Sequence, residues 1–527
     1  MAASALALGL FARMEWPWVA LGWVALVPWL AVLDRVVSVR GALAAALVMA
    51  VAFVLAVFGW FATAIERYTG VSPALAIAVL VVLAPLLEPQ LLTFAVARHL
   101  ARRSGAGFWW TALAAASVYV GTEWASPKLF VDTLGHGLYG STWMRQAADI
   151  GGVHGLTFAI LLANECVGAI VRGGRAGLRR VIAPAVCVVV LVVGLLAYGA
   201  VRCREIALAG RTGAPVTAGV VQADISQYGA LATELGTFDA VRTILDAHFA
   251  LSSEVLQRDR VDFLVWPETV YPTTFGSPRS PEGAAFDREI GGFVAAVGVP
   301  LVFGAYDADG GDEFNAAVFL EPAAGRRLTF ETYRKAWLFP LTERVPAVME
   351  SAVVRSWLPW LGTWKPGAGA DVIPLSLPGG RTVQIAPLIC YDALDAGHAL
   401  AAVRRGAEMI VTLSNDSWFA EGPGPRLHLV GSAFRSIETR RPQVRATNTG
   451  ISAVIDATGE LLATAGVHQR ATLVARVTPG RSVTTLIVAW GDWVGPTALV
   501  CGAALLAGAF VRARSRQEAD PSPGSPS

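Results

Sequence analysis

Charge is scarce in this chain. Only 16% of its 527 residues are Asp, Glu, Lys or Arg, and the two signs nearly cancel to a formal net charge of +2. With no basic stripe interleaved with aromatics, nucleic acid is excluded as a partner. Cysteine is scarcer still. The five cysteines (Cys166, Cys187, Cys203, Cys390 and Cys501) form no CxxC pair and show no metal-type spacing with the seven histidines, which argues against both a disulfide framework and a zinc site. The expectation is no metal and no cofactor. A basic n-region and a clear cleavage site are also missing from the apolar residues 1–12, so they read as a short or incomplete first membrane helix, not as a secretory signal.

What is abundant is apolar sequence. The apolar content is 54% and the mean hydropathy is +0.52, and the apolar residues are clustered in long blocks. Stretches long enough to cross roughly 30 Å of hydrocarbon fall at 17–33, 41–64, 72–98, 108–124, 150–171, 181–202 and 484–511. With residues 1–12 they give about eight spans, seven in residues 1–202 and one in 484–511. Lys and Arg in the short connections set the orientation. Arg35 and Arg40 follow the second span, "ARHLARRSG" the fourth, "RGGRAGLRR" the sixth and "VRARSR" the last, all on one side. This puts residues 203–483 on the opposite, extracytoplasmic side.

Residues 203–483 have a different texture. Strand-length runs such as 216–225, 261–268, 300–307, 315–321, 382–392 and 407–416 alternate with helix-period stretches such as "FDAVRTILDAHFALSSEVLQ" and "AAFDREIGGFVAAVG", which favours a layered α/β core. The Pro/Ser-rich end of 512–527 lacks the means to pack and reads as a disordered cytoplasmic tail.

Three strand ends in this α/β segment carry reactive groups: Glu268 in "VWPET", Lys335 in "ETYRKAWLFP" and Cys390 in "LICYD". A rigid sheet presents such groups at fixed positions. The types suit one another, because a thiol with an ordinary pKa of about 8.5 needs a base before it attacks a carbonyl. A carboxylate can be that base, and an ammonium, with the Tyr391 amide as a second donor, can hold the oxyanion. Each also has a plain alternative: Cys390 as a buried packing residue, Glu268 as a cap and Lys335 as a surface cation.

The segments "VTAGVVQADISQ", "LVWPET", "FNAAVFLEPAAGRRLTFETYRKAWLFPLTERVP", "APLICYD", "TLSNDSWF" and "RATNTGISAVIDATGE" occur in an order that resembles the nitrilase superfamily of carbon–nitrogen hydrolases. With seven spans before and one after, the layout is similar to the bacterial apolipoprotein N-acyltransferase family. The resemblance implies a nitrilase-type αββα sandwich with a Glu268–Lys335–Cys390 triad, Glu343 beside the lysine, Tyr391 and Asp392 after the nucleophile (Asp replacing the family's Glu), and Trp418 near the substrate. It also implies a monomer that passes an acyl group from a membrane phospholipid, through a Cys390 thioester, to the amine of a diacylglyceryl apolipoprotein. The rivals are a membrane-bound amidase that passes the acyl group to water and a non-catalytic lipid-binding paralogue.

The sequence departs from the family pattern in places. "PLTE" puts Thr342 where Gly is usual, Ser126 stands where an arginine follows "TEW", and "LGHGLYGSTW" replaces an aromatic-proline segment. In "GPGPRLHL" only His428 remains of a richer His/Gln pattern. Outside these motifs, Glu88 marks either a polar cavity or a helix break, His136 reads as a headgroup contact or an exposed loop residue, and Trp16, Trp18, Trp109 and Trp110 read as interfacial anchors.

Overall fold

The computed structural model describes the chain apart from residues 130–131, 174–178, 212, 226–227, 324–326, 347–348, 359–360, 420–421, 481–482 and 520–527. It divides into two compact units, one of Met1–Glu66, Gly70–Arg202 and Asp492–Ser527, the other of Arg67–Thr69 and Cys203–Gly491.

The first unit is helical. Among the described residues four helices (Val39–Phe58, Met144–Gly173, Arg180–Gly210 and Val494–Arg516) are long and apolar enough to cross a membrane, or five if the bent pair Pro73–Leu87 and Pro89–Arg103 is one span. Several expected spans are interrupted. Residues 17–33 form a 3₁₀ turn at Trp18–Trp23 and a short helix at Val27–Leu33. The stretch 72–98 bends by 47° where Glu88 separates two helices. Pro85 and Pro89 explain the bend, since each removes a backbone donor. Glu88 is buried at the break and accepts a hydrogen bond from Gln90. The stretch 484–511 is broken between Leu486–Trp490 and Val494–Ala519. That last helix corrects the expected tail: 512–519 continue it, because "RARSRQEA" is rich in helix formers, and 520–527 lie outside the described residues. His136 is also buried, not exposed, with its Nδ1 accepting the Thr133 N–H at 3.0 Å.

Close backbone approach holds these helices together, as expected where lipid is as apolar as the side chains. A Cβ on Gly121 would fall 2.5 Å from the Leu499 Cα, and one on Gly502 would fall 3.0 Å from the Val118 nitrogen. The buried Arg98 guanidinium ties three elements, at 2.5 Å to Glu165 and 2.7 Å to Asp34.

The second unit is a sandwich. Its strands are β1 (Val216–Gln222), β2 (Phe263–Val265), β3 (Tyr271–Thr274), β4 (Leu301–Asp309), β5 (Asp312–Ala323), β6 (Arg327–Arg334), β7 (Ile373–Ser376), β8 (Thr382–Ile389), β9 (Met409–Ser414), β10 (Gln443–Thr447), β11 (Ser452–Ile455), β12 (Leu461–Ala465) and β13 (Ala471–Val477). One sheet runs β13-β1-β2-β4-β5-β6 with β3 beside β4, and the other runs β12-β11-β10-β9-β8-β7. Both are parallel in the middle, β1-β2-β4 and β8-β9-β10.

Alternation along each strand builds the layers. On β5, Ala317 and Phe319 enter the core between the sheets, joined by Val220 and Phe263 from the same sheet and by Leu375, Ile385, Met409 and Val444 from the other. Val318 and Leu320 point the opposite way, to helices Thr237–Arg258 and Pro281–Val297. Ala386 and Leu388 of β8 likewise meet helix Ala396–Arg404. The result is helix, sheet, sheet, helix.

Phe319→Ala should open a void between the sheets and cost about 3–5 kcal/mol. A lowering of roughly 10 °C in this unit's thermal transition in detergent is the expected readout, and an unchanged transition would contradict the assigned packing.

Candidate active site

Four chain segments bring functional side chains to one buried place. The first follows β2. Trp266 anchors it by donating its indole N–H to Ser252 Oγ at 2.8 Å and packing among Phe249, Phe293 and Phe303. Glu268 comes two residues later and is 4% exposed. Neighbouring Gly304 has no alternative, since a Cβ there would sit 2.5 Å from the Glu268 Cα.

Lys335 follows β6 and is 1% exposed. Its ammonium lies 2.7 Å from Glu343 Oε1 and 3.2 Å from Glu268 Oε1. Glu268 has two further donors, the Asn315 side-chain amide at 2.7 Å on Oε1 and the Asn415 backbone N–H at 2.7 Å on Oε2. The Glu343 Oε2 accepts the Phe339 N–H at 2.7 Å.

Cys390 follows β8 directly and begins a 3₁₀ turn, Cys390–Leu394. Its φ of +48° is unusual for a residue with a Cβ. This sharp turn stops the strand and starts the 3₁₀ turn at the thiol-bearing residue. Burial, and next the Glu268 charge, push the thiol well above its ordinary pKa, while Lys335 pulls it down. The same burial raises Glu268, opposed by Lys335 and the Asn315 hydrogen bond. Burial works against the Lys335 charge, but the Glu268 and Glu343 carboxylates outweigh it and keep the ammonium protonated well above its usual range.

The remaining sequence candidates surround this core. Asp392 is fully buried and acts as a clasp: its Oδ1 accepts the backbone N–H groups of Trp337 (2.7 Å) and Ala336 (3.2 Å), and its Oδ2 accepts the Tyr333 hydroxyl (2.9 Å) and the Ile389 N–H (3.0 Å). Burial raises its pKa to about 6 against those donors. The Tyr391 ring meets Phe339 at 5.2 Å, and Trp418 packs edge-on to Phe339 at 4.5 Å and stacks on Phe419 at 4.3 Å. Glu268, Lys335 and Glu343 are thus in direct contact, Cys390 lies within their electrostatic reach, and Tyr391, Asp392 and Trp418 form the surrounding wall.

Sequence reasoning missed Asn315. It sits within the quoted "FNAAVFLE", but nothing in a lone asparagine on a strand signals that its amide bridges Glu268 and, at 3.4 Å, Glu343. Among the described residues no group of three His, Cys, Asp or Glu side chains is arranged to hold a metal ion.

Lys335→Met tests this charge balance. It leaves the buried Glu268 carboxylate facing the part-buried one of Glu343 without their shared cation, a loss of about 3–5 kcal/mol. Without the ammonium the Glu268 carboxyl pKa, already raised by burial, rises further in the fold, and a group raised in this way stabilises only while protonated, so the deficit grows as pH is raised from about 5 to about 8. Unfolding midpoints of the variant and the parent across that range check this, and a deficit independent of pH would contradict it.

Comparisons with known proteins bear on the family of the chain. The family model for the carbon–nitrogen hydrolases matches residues 217–485, and that for the apolipoprotein N-acyltransferase N-terminal domain matches 3–166. A Chlorobaculum tepidum apolipoprotein N-acyltransferase is 28% identical over 78% of this chain and 79% of its own length. One from Geobacter metallireducens is 30% identical over 76% of this chain and 72% of its own. Among solved structures, Saccharomyces cerevisiae Nit3 of the nitrilase superfamily is similar over 50% of this chain and 90% of its own, at 16% identity and a TM-score of 0.36. A helical N-terminal unit and a carbon–nitrogen hydrolase domain, matched together in relatives of one kind, make this chain an acyltransferase of the apolipoprotein N-acyltransferase family.

Proposed function

We propose that this chain transfers a fatty acyl group from a membrane phospholipid to the α-amine of a diacylglyceryl-cysteine at the N-terminus of an apolipoprotein. The observation that carries the proposal is the buried Glu268–Lys335–Glu343 cluster acting electrostatically on Cys390, in a chain that also has membrane-length helices.

A buried thiol pushed above its ordinary range is protonated at neutral pH and needs a base in place. Glu268, held by Asn315 and Asn415, is that base. It takes the thiol proton as sulfur attacks the ester carbonyl, and the oxyanion that forms is held by the Lys335 ammonium and the Tyr391 N–H. Collapse breaks the ester C–O bond, Glu268 returns the proton to the departing oxygen, and a lysophospholipid leaves a Cys390 thioester. The acceptor amine then attacks the thioester and loses its proton to Glu268. Breaking the C–S bond gives the amide and returns the thiol. One copy of the chain holds all these groups, so a monomer suffices. Glu343 keeps the lysine aimed, Asp392 fixes the two loops around the nucleophile, and Trp418 lines the acyl path.

The basic clusters at the ends of the apolar stretches support an inner-membrane protein of about eight spans with Cys203–Gly491 on the extracytoplasmic side. A reporter fused after the last residue should be active only in the cytoplasm, and one inserted at Gly310–Gly311 only outside it. The opposite pattern would reverse the orientation.

Intact-protein mass spectrometry after exposure to phospholipid should find a fatty-acyl adduct on Cys390, cleared when a diacylglyceryl peptide is added, with that peptide gaining the acyl group. Cys390→Ala should form none, and Glu268→Gln should form it about 10²- to 10⁴-fold more slowly. Clearance by water alone would make the chain a hydrolase, and absence of any adduct would leave lipid binding as its role.

A further inference from the structure

Behind the nucleophile lies a side chain that the mechanism above does not use. His428, in helix Gly424–Thr439, is 3% exposed. Its Nε2 is 3.2 Å from the Cys390 carbonyl oxygen, and its Nδ1 is 2.8 Å from Asp416 Oδ1. A carbonyl oxygen only accepts, so Nε2 carries a proton and donates it to the Cys390 carbonyl.

Asp416 and Arg445 brace the other ring nitrogen. Burial alone would raise Asp416, but His428, Arg445 and the Ser414 hydrogen bond hold it down at about 2. Arg445 Nη2 lies 3.1 Å from Asp416 Oδ2 and 3.1 Å from His428 Nδ1, and Ser414 Oγ donates to Asp416 Oδ1 at 2.8 Å. The Phe419 ring meets the imidazole edge-on, with ring centres 5.7 Å apart. Asp416, Arg445 and Cys390 are the titratable or charged residues in contact with the imidazole on these elements.

The Cys390 carbonyl and the Tyr391 N–H belong to one peptide unit. In a planar trans peptide they point in opposite directions, so whatever grips the carbonyl also fixes the aim of the N–H. This peptide needs a grip, because the Cys390 φ of +48° lies in a region that persists only when its surroundings impose it.

We propose that His428, braced by Asp416 and Arg445, is the positioning residue of the oxyanion site: it holds the Cys390 carbonyl on one side of the peptide so that the Tyr391 N–H faces the acyl oxygen on the other. The identity of the reacting carbonyl rests on the acyl-transfer reading above. His428 itself touches no substrate and acts through the peptide.

The test compares two reactions of Cys390 in the full chain in detergent. Acylation by a p-nitrophenyl ester forms an oxyanion, whereas alkylation by iodoacetamide does not. His428→Phe should slow acylation about 100-fold with little change in KM, the cost of losing one oxyanion donor, while alkylation stays within about threefold. His428→Gln, whose amide N–H can reach the same carbonyl, should recover at least about tenfold of the loss. Should the Phe variant fail to fold, His428→Met, which also lacks a donor, takes its place. Equal losses in acylation and alkylation, no loss in either, or no recovery with Gln would overturn the proposal. If the unmodified chain is acylated by the p-nitrophenyl ester and never by phospholipid, while the variants behave as described, the positioning role stands and the lipid-donor reading falls.

Discussion

Everything at the reactive centre depends on one buried ammonium. Lys335 sits between two carboxylates in a place that excludes water, where charge interactions are strong and an unpaired charge is costly. The arrangement constrains the fold in both directions. The turn after β2 must deliver Glu268, the loop 339–343 must deliver Glu343, and β5 must supply the Asn315 amide that fills the gap between them. The clasp made by Asp392 then ties the segment after Lys335 to the turn that carries Cys390. Misplacing any of these elements would leave a buried charge without its partner, so the sandwich and the site stabilise each other.

Two compensating fields result. The negative charge of Glu268 and the dry surroundings keep Cys390 protonated, while Lys335 favours the thiolate. The balance makes the thiolate a transient species, formed only as the base takes the proton, and the same ammonium is then in place for the negative charge that appears on the acyl oxygen. In the proposed mechanism one cation therefore serves the nucleophile first and the oxyanion second.

How much of this was legible in the sequence depended on how local each signal was. Strands β1, β2, β4, β5, β8 and β9 announced themselves as short apolar runs, and the helices at Thr237–Arg258 and Pro281–Val297 by their period. β10 to β13 did not, because Thr, Ser, Gln and Arg interrupt them. Gln443 and Arg445 sit on a fully buried strand, with the Gln443 amide donating to Thr412 and Ser432 and Arg445 reaching Asp416. A polar residue satisfied by tertiary partners looks like a loop residue when only neighbours in sequence are visible. Glu268, Lys335 and Cys390 stood out as reactive types at strand ends and through their motifs, whereas Asn315 and the role of His428 depend on contacts across 47 and 38 residues. The apolar stretches were visible from composition, but their interruptions at Glu88 and near Gly491 were not, since hydropathy averages over a break that a few backbone angles create.

The high pKa of the Cys390 thiol has a consequence for the durability of the protein. Oxidation of cysteine to sulfenic acid and beyond follows thiolate character and exposure. Cys390 offers little of either at rest, being 5% exposed and protonated. Peroxide and stray disulfides therefore find a poor target, whereas an ester seated beside Glu268 finds a nucleophile. The same burial that makes the resting thiol unreactive guards the one cysteine on which the proposed reaction depends.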